Sequence, residues 1–117
     1  MGIFVNEQVD EIISMYGMAE DSSETENIRK FLEVHEHLFP ILEEAKEKII
    51  SVFGSAVRIN LELFHDVDEG WEQLYVIIRS SYNVQKTVEL ENRLVEEWFL
   101  DKMKDTQGYL NISGEPI

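Results

Sequence analysis

Gly54-Ser55 and, about ten residues further on, Asp66-Val67-Asp68 are the residue types of a nucleotidyl-transfer site. In such a site a Gly-Ser turn holds a triphosphate and paired carboxylates hold Mg²⁺, a hard cation that takes oxygen ligands. The residues between the two groups argue against it. They alternate as a strand, which rises roughly 3.3 Å per residue and holds Ser55 and Asp66 some 30 Å apart. A helix stop at Gly54 and a hairpin turn at Asp66 account for the same residues. Read as a Ca²⁺ loop, Asp66–Gly70 lacks the third loop acid and puts Ile77 where a bidentate Glu is required. His35 and His37, with Glu33 and Glu36, carry metal-ligand chemistry, yet residues two apart on a helix point in divergent directions. Nothing in the sequence brings His65 to them. There is no cysteine, and no Ser-His-Asp set stands at motif spacing. No catalytic residue, metal or cofactor is assigned, and the chain reads as non-catalytic.

The more informative residues lie in Ala56–Arg79, which reads as two strands joined by the acidic turn HDVDEG. Val57, Ile59, Leu61 and Leu63 alternate with Arg58, Asn60, Glu62 and Phe64; Leu74, Val76 and Ile78 alternate with Tyr75, Ile77 and Arg79. Pairing Leu63 with Leu74 aligns the inward residues. It also sets Arg58 opposite Arg79, Asn60 opposite Ile77, Glu62 opposite Tyr75 and Phe64 opposite Gln73. Like charges directly opposed destabilise a sheet, so the arginine pair calls for an anion. That anion is an acid from residues 1–28, a partner's carboxylate or a small ligand. Phe64, Tyr75 and Ile77, joined by Tyr109 if the third strand lies beside the first, make an apolar patch of the kind that marks an interface. The competing expectation is that the N-terminal helices cover this face.

The flanking elements follow from periodicity and capping. Asn6 is placed to cap a helix bearing Val9, Ile12, Ile13 and Tyr16, with Gly17 as its stop. Ser23-Glu24-Thr25-Glu26 fits a capping box, and Ile28, Phe31, Leu32 and His35 continue a helical face behind it. Pro40 opens a helix to Phe53, and Gly54 ends it. Asn83 caps a long helix to about Lys104, whose expected buried side is Val84, Val88, Leu94, Val95, Trp98 and Phe99. Tyr109–Ser113 is a last strand and Gly114–Ile117 a frayed tail. The order helix-helix-helix-strand-strand-helix-strand predicts an α+β fold in two layers, helices on one face of a small three-stranded sheet. The third strand is placed beside the first, for a sheet order 2-1-3. Residues 1–37 are set apart as an acidic helical arm and residues 38–117 as the α+β core, within one compact unit.

Glu96-Glu97-Trp98-Phe99-Leu100-Asp101, followed by Gly108-Tyr109-Leu110-Asn111-Ile112, resembles a signature of small uncharacterised microbial α+β proteins, in which an acidic helix ends Glu-Glu-Trp-Trp-Leu-Asp before a short strand. Phe99 stands here for the second Trp. The resemblance covers roughly Leu38–Ile112; it implies the fold and carries no assigned activity.

Charge narrows the partners. The net charge is −14, and residues 1–28 hold seven acids and no Lys or Arg. Such a field repels phosphate backbones, so no nucleic acid is expected as a partner, and it favours encounter with a basic protein. Plain solubility accounts for the same charge. No apolar run approaches the roughly 18 residues of a membrane span, and the N-terminus lacks the basic region of a secretory signal. No membrane association is expected, and a cytoplasmic location is. The resulting expectation is an acidic interaction or regulatory protein that binds a basic protein partner, or itself as a homo-oligomer, through the outer sheet face. In one version residues 1–28 order on contact. The alternative is an anionic-ligand-binding protein or metal-dependent enzyme using Arg58 and Arg79.

Overall fold

The computed structural model of the chain describes residues 2–16 and 22–116. Its elements run α1 (Gly2–Met15), α2 (Ser22–Glu33), a 3-10 turn (Glu36–Leu38), α3 (Phe39–Phe53), β1 (Arg58–Asp66), β2 (Trp71–Ser80), α4 (Val84–Leu94), a π turn (Val95–Phe99), α5 (Leu100–Thr106) and β3 (Leu110–Pro116). This is the expected α+β order with its three-stranded sheet. The start of α1 at Gly2 leaves Asn6 inside the helix rather than at its cap. Gly17, the expected stop of the first helix, lies outside the described residues, as does Ile117.

Alternation builds the sheet's inner face. Ile59, Leu61, Leu74, Val76, Ile78, Leu110 and Ile112 are buried in one hydrophobic cluster, together with Val9, Ile12 and Tyr16 of the first helical segment and Ile28, Phe31 and Leu32 of α2. The described residues of α1 and α2 therefore pack on the inner side. Tyr16 ties them to α3 by donating its hydroxyl to the Leu42 carbonyl, and its burial pushes the phenol pKa up. Arg29 of α2 also pairs with Asp10 of α1. α2 ends at Glu33, short of His35, because Pro40 already occupies the first turn of α3 and the residues between are spent on the 3-10 turn.

The strand order is β1-β2-β3, with β3 parallel to β2, and not the expected 2-1-3. Physically, Leu74–Ile78 is an almost unbroken apolar run, and both Ile77 and Ile78 are buried. A strand apolar on both faces belongs in the middle of a sheet. β1, which alternates polar and apolar, is left at the edge. Nor is the tail frayed where it is described: Gly114 and Glu115 pair with Ile78 and Arg79.

Asn83 caps α4 as expected, its side chain accepting from the Lys86 N–H at 2.8 Å. The buried face differs. Val84 and Val88 are 65% and 48% exposed, while Thr87, Leu90 and Leu94 point inward. The valines form their own i, i+4 stripe on the wrong side, and a buried threonine disguises the true one. Leu94 to Trp98 is one ordinary helical step, and the extra residue of the π turn brings Phe99 inward as well. The Trp98 indole N–H donates to Glu44 Oε1 on α3, closing the helical layer.

Candidate functional site

The outer face of the hairpin has the register that alternation dictates: Arg58 opposite Arg79, Asn60 opposite Ile77, Glu62 opposite Tyr75 and Phe64 opposite Gln73. The arginine pair resolves asymmetrically. Arg79 Nη1 donates to Asn60 Oδ1 at 3.1 Å, and Nη2 lies 3.5 Å from Glu115 and 3.9 Å from Glu62. The counter-anions are thus carboxylates of the neighbouring strands. Arg58 stays exposed, without an ion pair among the described residues. It lines a cleft that Arg79 does not, so the two arginines do not converge on one ligand.

At the other end of the hairpin lies a cleft of about 650 Å³ lined by Phe64, Asp66, Val67, Asp68, Trp71 and Tyr75, with His65 and Gln73 beside them. Phe64 is 52% exposed, Trp71 41% and Val67 83%. The register explains the grouping. Phe64 sits directly across from Gln73, so Trp71 and Tyr75 are its two diagonal neighbours on the same face. Its ring meets Tyr75 edge to face at 4.7 Å. On the acidic side, Asp66 Oδ1 accepts from the N–H groups of Asp68 and Glu69 at 3.0 and 3.1 Å, which sets the turn. The Asp68 side chain is exposed at its tip. Residues 62–72 hold five carboxylates and no Lys or Arg. An open aromatic surface rimmed by carboxylates suits a cation with an apolar stem, through cation–π contact and charge pairing together.

Of the other residues singled out from sequence, Ile77 is only 2% exposed and offers no contact surface. Tyr109 is not on the outer face. With β3 beside β2 its ring turns toward the helices, 4.2 Å from His35 and 6.2 Å from Phe31. His37 stands 6.0 Å from the same ring, and its Nε2 lies 3.3 Å from the Thr106 carbonyl oxygen. The two histidines thus gather about Tyr109 because α2 has ended before them, and the divergence expected on a helix does not apply. Among the described residues no group of three or more His, Cys, Asp or Glu converges as a metal site. Ser55 and Asp66 line separate clefts at opposite ends of β1, as the strand's length requires.

Trp71 was not in the expected patch, although it follows the turn directly and shares the parity of Gln73 and Tyr75. Counting alternation back from Tyr75 through Gln73 finds it. Against known protein families, curated proteins and solved structures, this chain has no match.

Proposed function

We propose that this chain is a non-catalytic acidic interaction protein whose hairpin end receives a basic segment of a protein partner. The observation that supports this most is the cleft of Phe64, Trp71 and Tyr75, left open to solvent and edged by Asp66 and Asp68. Burying three aromatic faces supplies affinity, and the surrounding carboxylates select for Lys and Arg and steer them in. The net charge of −14 acts in the same direction at long range.

A lysine- and arginine-rich peptide titrated into the full chain tests the reading against mere charge attraction. Phe64→Ser and Asp68→Lys should each weaken binding by about tenfold or more, the scale of a lost interface anchor. Asp101→Lys, an equal charge change on α5, should have a small effect that vanishes in moderate salt. Equal losses for Asp68→Lys and Asp101→Lys would show that the peptide reads only net charge. Light scattering on the free chain distinguishes self-association: a dimer mass abolished by Phe64→Ser would make a second copy the occupant instead.

A further inference from the structure

A second cleft, of about 400 Å³, runs beside the start of β1 where that strand forms the free edge of the sheet, against α3 and the end of α1. Its polar rim is Lys46, Arg58, Asn60 and Ser55, and Met15 and Ile50 are among its apolar walls. In a chain with 24 acidic and 10 basic residues, no carboxylate among the described residues lines it. Neither Lys46 nor Arg58 has an ion-pair partner among the described residues. Arg58 also faces Arg79 across the ladder, and the carboxylates of Glu62 and Glu115 are held by Arg79.

Asn60 completes the donor set. Its Oδ1 accepts from Arg79 Nη1, which leaves the Nδ2 amino group as the end free to donate. Ser55 adds a hydroxyl. Every polar side chain on the rim therefore offers a donor, and Lys46 and Arg58 carry full positive charge. The complement is an anion, and the walls ask for an apolar body attached to it.

We propose that this cleft binds a small anionic amphiphile, a carboxylate or comparable anion on a short apolar body, with Lys46 and Arg58 holding the charge. The site is independent of the hairpin cleft at the far end of β1, and each can fail without the other.

Octanoate, octanol and inorganic phosphate, added separately to the full chain, test it by thermal unfolding and by methyl NMR. Octanoate should raise the unfolding temperature and shift the Met15 and Ile50 methyl signals with saturation. Octanol, lacking the charge, and phosphate, lacking the apolar body, should each bind at least tenfold more weakly. Lys46→Gln with Arg58→Gln should reduce octanoate affinity by tenfold or more; Arg58→Lys should retain most of it. Octanol equal to octanoate, phosphate equal to octanoate, or no shift at these methyls would each overturn the assignment. The methyl shifts are read on the unaltered chain, so the result stands even if the double variant folds poorly.

Discussion

Phe64 and Tyr75 meet edge to face across the β1–β2 ladder, ring centroids 4.7 Å apart and planes at 72°. The contact is diagonal, since Phe64 pairs with Gln73 and Tyr75 with Glu62. A ring that leans toward one diagonal neighbour withdraws from the other. The cleft therefore opens on the Trp71 side of Phe64, beside the turn that carries Asp68. Edge-to-face packing is worth about 0.5–1.5 kcal/mol beyond area burial, so Tyr75 props Phe64 in place for whatever binds. Tyr75→Ala should thus weaken basic-peptide binding and also lower chain stability by about 1 kcal/mol. Phe64→Leu, which keeps apolar area but loses the ring face, should weaken binding at little cost in stability. Calorimetric titration and thermal unfolding of the two variants check this.

Arg79 does structural work that its opposite number does not. It holds Asn60, Glu62 and Glu115, one partner on its own face of each flanking strand and a second on β1. The side chains involved are a third to a half exposed, which limits each pair to a fraction of a kcal/mol. Arg79→Ala should lower stability by about 1 kcal/mol through the network and the lost aliphatic stem, with a smaller loss in high salt. Arg58→Ala should leave stability within about 0.5 kcal/mol of the parent. Denaturant unfolding at two salt concentrations separates them.

Gly114 is fixed by its neighbour. A Cβ there would stand 2.9 Å from Thr87 Cγ2, inside β3 where it packs on α4. Thr87 is 2% exposed and donates to the Asn83 carbonyl, so it cannot swing aside freely. Gly114→Ala should cost about 1–3 kcal/mol, the range for overpacking. Adding Thr87→Ser, which keeps the hydroxyl and removes the obstructing methyl, should restore much of that loss. A double variant no more stable than the single would place the strain elsewhere.

Glu91 lies against the same junction. Burial holds its carboxyl above the usual range, partly offset by the Gly114 N–H it accepts. A raised folded-state pKa means the native protein favours the neutral acid. Its contribution is fully present below the ordinary carboxylate pKa and is lost as pH rises through the folded value. Glu91→Gln keeps an acceptor for Gly114 and removes the charge. It should raise the melting temperature near neutral pH, with the gain shrinking as pH falls through the carboxylate range. A gain independent of pH would contradict this origin.

Ser80 is 1% exposed, and its hydroxyl has no hydrogen-bond partner among the described residues. An unpaired buried hydroxyl costs about 1–3 kcal/mol, so Ser80→Ala should stabilise the chain by roughly 1 kcal/mol after the lost packing. Thermal unfolding reads it directly.

The hairpin was legible because both strands place an apolar residue at every second position, and a register that buries both sets has no competitor one residue away. The sheet order departs from the expected one, though its signal is in the sequence: Leu74–Ile78 is apolar on both faces and β1 is not. That one misplacement carried Tyr109 to the wrong side. The counter-anions of Arg79 are hidden in the sequence for a related reason, since Glu115 lies in what reads as a tail and reaches Arg79 only through parallel pairing with β2. Val84 and Val88 show the limit of helical periodicity, because a threonine on the buried face leaves two phases nearly equivalent. The cleft was half visible: Phe64 and Tyr75 fell out of alternation, while Trp71 lay hidden against the turn.

The most direct test of the hairpin cleft is the pair of indole N–H signals in an ¹H–¹⁵N spectrum of the unaltered chain, recorded as a lysine- and arginine-rich peptide is added. Trp71 is 41% exposed and lines the cleft, whereas Trp98 is 6% exposed in the core, so one molecule carries both reporter and control. A saturable shift of the Trp71 signal together with the Gln73 and Tyr75 amides is expected, weakened by salt, with Trp98 unmoved. Peptide binding that leaves Trp71 unmoved would contradict it.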